Sequence, residues 1–223
     1  MRNVRTVNNA AYQTGSGAIS TNKVLRNTYF LLGMTLAWSA VIAGVAAALA
    51  LPHPGLIITL VGFYGLLFLT EKNRNSSLGL LFVFLLTGFM GYTLGPILNM
   101  FLARGGAEIV MMALGGTALT FFTTSAYALT TKRDLSFIGG MLMAGFVVLL
   151  VAVIANIFLQ MPALSLAISA MFILFSSGAI LLTTQQIVRG GETNYISATV
   201  TLYVSIYNIF VSLLQILGLT SSD

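Results

Sequence analysis

The sequence contains no cysteine and a single histidine, His53. Disulfides, thiolate metal sites and histidine-rich metal sites are therefore excluded. The same scarcity argues against three intramembrane hydrolase mechanisms. A serine protease needs a histidine base within hydrogen-bond reach of its serine, and His53 lies between Pro52 and Pro54 in a loop. A zinc protease needs paired histidines. An aspartyl protease needs two carboxylates sharing one site, but Asp134 is in a loop and Asp223 is terminal. The expectation is a protein that is not an enzyme and takes no cofactor or metal. Charge is scarce too: 7% of the 223 residues are charged and 57% are hydrophobic, whereas a soluble domain carries about 25% charged residues. That is too little charge to clothe a water-facing surface, and a lipid-facing surface removes the need.

What the sequence does contain is apolar runs of membrane-crossing length, which is roughly 20 residues. Seven are expected, at about 27–50, 55–71, 78–101, 107–131, 136–159, 163–188 and 194–218, with boundaries good to about 2–4 residues. The fold class is all-α, a polytopic bundle of seven transmembrane helices in one domain over 23–223. A polar segment at 1–22, containing Gly15, Ser16 and Gly17, reads as a flexible cytoplasmic tail. The first apolar run exceeds the 7–15 or so residues of a signal-peptide core. The connectors are short, which predicts that successive helices pack as antiparallel neighbours.

The net charge of +5 would suggest nucleic acid in a soluble chain, but here the basic residues punctuate the apolar runs and act as topology signals. One side collects Arg2, Arg5, Lys23, Arg26, Lys72, Arg74, Lys132, Arg133 and Arg189, and the other holds only Arg104. This bias predicts a cytoplasmic N-terminus, an external C-terminus and the lipid bilayer, not nucleic acid, as the surroundings.

Small residues at Ala40, Gly44 and Ala48, and at Gly91 and Gly95, are spaced for close helix packing. Pro96 removes a backbone donor inside the third helix. Glu108, the ionisable residue nearest the membrane interior, suits the N-terminal end of its helix. The most informative segment is the last run. Asn194, Ser197, Thr201, Ser205, Asn208, Ser212 and Gln215 are separated by 3, 4, 4, 3, 4 and 3 residues, which puts them on one helix face. Polar groups facing lipid would lack partners, so the stripe is expected to face inward, as interhelical hydrogen-bonding glue or as the lining of a polar pathway.

Several segments then resemble a known family. Gly91-Tyr92-Thr93-Leu94-Gly95-Pro96-Ile97-Leu98, Ala103, and Ala113-Leu114-Gly115-Gly116-Thr117-Ala118 resemble the signature of the Bax inhibitor-one family. Leu202-Tyr203-Val204-Ser205-Ile206-Tyr207-Asn208-Ile209-Phe210 resembles its last helix. Lys23-Val24-Leu25-Arg26-Asn27-Thr28-Tyr29-Phe30-Leu31-Leu32 and Arg189-Gly190-Gly191-Glu192-Thr193-Asn194-Tyr195-Ile196 look like the bacterial YccA-type branch. The resemblance runs from about residue 21 to residue 219. It implies a seven-helix bundle with the last helix central, a place in the bacterial inner membrane and in stress protection, and family activities that include cation leak, calcium in particular. The branch further implies a link, as modulator or client, to a membrane-anchored, ATP-dependent zinc protease. The family's acidic pair aligns with Thr183, in Thr183-Thr184-Gln185, and with Ser205. Neither is a carboxylate here, and the arginine that some members carry in the second helix has no counterpart. The expected site is then a neutral seam of Thr183, Gln185, Thr201, Ser205, Asn208 and Ser212, hydrogen-bonded and without a calcium site. Gly91, Gly95, Pro96, Thr117 and Ala118 carry the family motif.

Overall fold

The computed structural model describes residues 4–103 and 106–220, with side chains from residue 23 onward. Among the described residues it is wholly helical: α1 (Val4–Ala48), α2 (Leu56–Lys72), α3 (Ser77–Ala103), α4 (Ala107–Thr130), α5 (Phe137–Leu159), α6 (Pro162–Val188) and α7 (Tyr195–Thr220). The helix ends expected from the apolar runs fall within about three residues of these, apart from the start of α1. That helix continues N-terminally of its membrane-length part, Lys23–Ala48. Six helices are long and apolar enough to cross a bilayer, which supports a multi-pass membrane protein. The exception is α2, whose 17 residues span about 25 Å at 1.5 Å per residue. Arg104, the lone basic residue expected on the far side, lies outside the described residues, as do Arg2 and Asp223.

The expectation that successive helices would be neighbours holds only in part. Among the described residues α1 packs on α3, α6 and α7 but not on α2, and α4 packs on α3, α6 and α7 but not on α5. Among the described residues only α6 contacts α5, whose apolar stretch is 6% buried against 50% for α3 and α7. α2 and α5 are thus outriggers on a core of α1, α3, α4, α6 and α7. Their apolar faces are exposed, which a lipid surrounding would permit, since it imposes no requirement to bury them. α7 touches every helix except α5.

Helix directions follow from which residues meet. Gly91 and Gly95 on α3 meet Ser39 and Ala46 on α1, and Thr87 and Thr93 bond Tyr203 and Tyr207 on α7. Numbers rise together, so α1, α3 and α7 are parallel. α4 and α6 run the other way. Phe121 stacks on Tyr29 while Gly116 faces Leu213, and Thr184 bonds Tyr29 while Ser169 bonds Gln215.

The small-residue expectation is corrected on α1. Ala40, Gly44 and Ala48 are exposed, and a Cβ on Gly44 would meet nothing within 4 Å. The seam runs one register over, through Ser39, Ala43 and Ala46, all buried. This stretch of α1 offers small residues on two faces, and the choice is made by α3. A Cβ on Gly91 would strike the Ser39 carbonyl, and one on Gly95 the Ala46 side chain. Gly91 and Gly95 therefore pack as expected. Pro96 sits inside α3, which runs on unbroken to Ala103.

Candidate functional site

The polar face of α7 divides into three stretches. At its start Asn194 is the N-cap. Its Oδ1 accepts from the N–H groups of Ile196 (2.9 Å) and Ser197 (3.2 Å), which satisfies two of the helix's orphan donors. Its Nδ2 donates to the Arg74 carbonyl (3.1 Å) and to Asn75 Oδ1 (2.7 Å). Ser197 donates to Glu71 Oε2 at 3.0 Å, and Arg74 reaches both Glu71 (3.3 Å) and Ser197 (3.4 Å). The end of α2, the loop after it and the start of α7 are thereby tied together. In the sequence Arg74 counted only among the basic topology signals, and Glu71 carried no signal of its own. Beyond their own i, i+3 pairing, their partners on α7 lie more than a hundred residues away, and no local spacing advertises that link.

In the middle stretch the expected interhelical seam is not formed. Thr201 donates to the Ser197 carbonyl (3.1 Å) and Ser205 to the Thr201 carbonyl (2.8 Å), both one turn back on α7 itself. A hydroxyl satisfied in this way needs no neighbour, and Thr201 is in fact exposed. Thr183 is buried on α6. Among the described residues no hydrogen bond joins it to Ser205, Thr201 or Asn208.

The last stretch, toward the C-terminal end of α7, does line a cavity. Asn208, Ser212 and Gln215 of α7 face Asn156 of α5 and Ser165 and Ser169 of α6 around a space of about 330 Å³. Ser169 donates to Gln215 Oε1 (2.8 Å) and Asn156 to Ser165 (2.7 Å), while Asn156 Oδ1 is buried without a partner. Carboxamides and hydroxyls both donate and accept, so this vestibule suits water or a neutral hydrogen-bonding group. Its lining holds no carboxylate, and a hard cation such as calcium usually takes several. Among the described residues no three His, Cys, Asp or Glu side chains come together. Glu108 is exposed in the first turn of α4, and His53 Nδ1 accepts the Gly55 N–H in its loop (3.0 Å).

Gln185 acts elsewhere than expected. Its Oε1 accepts the Leu135 N–H and its Nε2 donates to the Arg133 carbonyl, each at 2.8 Å. Arg189 also donates to the Arg133 carbonyl (2.7 Å) and pairs with Asp134 at 3.3 Å. Hydrogen bonds from the Ser136 hydroxyl and N–H, with a smaller contribution from Arg189, hold the exposed Asp134 carboxyl below the usual carboxylate range. Gln185 thus clamps the α4–α5 loop to α6. Gln185→Leu leaves the buried Leu135 N–H unpaired, while the Arg133 carbonyl keeps its bond from Arg189, a loss of about 2 kcal/mol. It is expected to lower thermal stability and to open Lys132 and Arg133 to trypsin. Unchanged cleavage there would show that the clamp does not hold the loop.

Two tyrosines that sequence reading quoted only for resemblance form the buried polar centre. Ser39 Oγ and Tyr203 Oη lie 2.6 Å apart, and Tyr203 donates to the Thr87 carbonyl at 3.2 Å. Tyrosine has one proton, so Ser39 is the donor in the first bond. Thr93 donates to the Met90 carbonyl (2.8 Å), so Tyr207 donates to Thr93 (3.1 Å). The i, i+4 spacing of Tyr203 and Tyr207 was the available signal. Of the family-motif residues, Gly91 and Gly95 seat α1. Thr117 bonds the Ala113 carbonyl within α4 (2.7 Å), and Ala118 beside it is exposed.

Comparison with known proteins bears on the whole chain. The family model described as "Inhibitor of apoptosis-promoting Bax1" matches residues 21–222. A protein of Escherichia coli named "Modulator of FtsH protease YccA" is 65% identical over 205 residues, which cover 92% of this chain and 94% of that one. A protein from a second strain of that species, with the same identity and coverage, is named "Inner membrane protein YccA". An "Uncharacterized membrane protein" of Vibrio cholerae is 45% identical over 207 residues, 92% of this chain and 93% of that one.

Proposed function

The chain belongs to the family of inhibitors of apoptosis-promoting Bax1, and from that premise we propose that it is a non-enzymatic inner-membrane protein that modulates, or is a client of, a membrane-anchored ATP-dependent zinc protease in membrane-protein quality control. The observation that carries this reading is the 65% identity, along nearly the full length of both chains, to a relative named "Modulator of FtsH protease YccA". The alternative, a cation leak along α7, is disfavoured by the middle stretch, where Thr201 and Ser205 bond their own helix instead of lining a continuous polar path.

The bundle crosses the membrane seven times with α7 at its centre. Supporting this, α1 and α3 are parallel, so α2 must return the chain across the bilayer between them. Its length of about 25 Å is tolerated by local thinning of the membrane. The basic residues put the N-terminus in the cytoplasm. A reporter fused at Asp223 should register outside the cytoplasm, and a cytoplasmic signal would remove either the span count or the orientation.

A processive protease needs an accessible end to engage, and the polar segment before residue 23 offers one on the cytoplasmic side. Deleting residues 2–18 is expected to slow turnover in cells that hold the protease and to change nothing in cells that lack it. An unchanged half-life with the protease present would count against the client relationship.

A further inference from the structure

We propose that the apolar cavity between α1 and α4 is a binding site for the acyl chain of a membrane phospholipid. The cavity holds about 500 Å³, within the ~300–1,000 Å³ of ligand pockets and far above the voids that protein interiors leave unfilled. It exists because the backbones of α1 and α4 do not meet. They are bridged at one end by the Tyr29 and Phe121 rings, whose centroids are 5.9 Å apart. Its mouth is formed by Gly33 and Ala40 on one side and Leu114, Ala118 and Phe122 on the other, all exposed. A Cβ on Gly33 would meet nothing within 4 Å, so small residues hold this opening wide. Its lining residues include Leu36, Thr117 and Tyr207, near the middles of the membrane-length part of α1, of α4 and of α7, so it opens sideways at the depth of the lipid tails.

The chemistry of the floor selects the occupant. Ile206, Phe210, Leu32 and Leu94 are apolar and buried. The hydroxyls that reach the cavity already have partners: Ser39 bonds Tyr203, Tyr203 the Thr87 carbonyl, Tyr207 Thr93, and Thr117 the Ala113 carbonyl. They need nothing from a ligand, and an apolar cavity of this kind does not hold water. No charged side chain lines it, so a headgroup or a free carboxylate has no counter-charge inside. A hydrocarbon tail entering from the bilayer, with its headgroup left at the interface, meets all of these conditions.

The test is photolabelling of the full chain in vesicles with a phospholipid bearing a diazirine near the end of one acyl chain, with a diazirine fatty acid as the second arm. The expected result is adducts of the phospholipid on Ile206 and Phe210, which are buried and out of reach of lipid that merely surrounds the bundle. Ala118→Phe, or the milder Gly33→Leu, plugs the mouth and should cut those adducts about tenfold, the equivalent of about 1.4 kcal/mol. Adducts on the lipid-facing α5 residue Val151 should persist in both variants and report an intact bundle. Phospholipid adducts confined to outward residues such as Val151 and Leu119 would overturn the proposal. Labelling of the floor by the fatty acid but not by the phospholipid would overturn the assigned source.

Discussion

Replacing Gly91 by leucine is expected to destabilise the bundle by about 3–5 kcal/mol, while the same change at Gly44 stays within about 0.5 kcal/mol of neutral. Both are helical glycines spaced for small-residue packing, so sequence alone ranks them equally. The structure separates them. At Gly91 even a Cβ collides with the Ser39 carbonyl and lies 2.9 Å from its hydroxyl. Backbone cannot swing aside as a side-chain tip can, so α1 must move off α3. Moving it also pulls Ser39 from Tyr203 and loosens the Tyr203 bond to Thr87. Overpacking costs about 1–3 kcal/mol, and each buried hydrogen bond lost adds about 1 kcal/mol. At Gly44 the added side chain points to lipid, which accepts it. Thermal unfolding in detergent, following the far-UV helix signal of the two variants side by side, checks this. Equal midpoints would mean that the α1–α3 contact does not hold the bundle together.

The second large effect concerns ions. Calcium flux through the purified chain in liposomes is expected to be weak and to show no transition between about pH 6 and 8, where raised carboxylate pKa values act. At the two positions that align with the family's acidic pair the chain has Thr183 and Ser205, both buried, and hydroxyls are neutral throughout that range. Neutral groups do not offset the dehydration of a divalent cation, and they carry no proton that could gate it. The polar vestibule ends at Asn208, and beyond it Ser205 has turned its hydroxyl onto its own helix. Thr183→Asp combined with Ser205→Asp should introduce pH dependence, at a cost of at most about 2.5–3.5 kcal/mol per Asp, the figure for a helix centre on insertion scales. Strong, pH-gated flux from the unaltered protein would contradict this, with Glu108 the first group to replace.

The helices were legible because a bilayer demands long apolar runs and the 223 residues contain little else. The ends of α3 and α6, for instance, were readable to within about two residues. Neighbour choice was less legible. Short loops suggested that α1 would lie on α2, but α3 carries Gly91 and Gly95 and so takes α1 closer than α2 can. The polar stripe of α7 followed from its three- and four-residue spacing. The step from there to an interhelical seam failed at Thr201 and Ser205, because a hydroxyl can bond the carbonyl one turn back and then needs no neighbour: Thr201 stands exposed, and Ser205 is buried with its hydroxyl on the Thr201 carbonyl. Asn208, Ser212 and Gln215 have longer or differently placed polar groups, and these do meet partners or a cavity across helices. Gln185 looked like part of the seam by its place next to Thr183 and Thr184. Its carboxamide instead reaches the backbone of a loop some fifty residues earlier, and no spacing rule encodes that reach. The cluster of Glu71, Arg74, Asn194 and Ser197 was invisible for the same reason.

The most direct test of the protease reading is reconstitution of a membrane-anchored ATP-dependent zinc protease in liposomes with a membrane-protein substrate, with and without this chain in excess. The expected result is a longer substrate half-life when the chain is present, with ATP hydrolysis continuing, and loss of that effect when residues 2–18 are removed. Identical substrate half-lives with and without the chain, together with no degradation of the chain itself, would contradict both roles proposed for it.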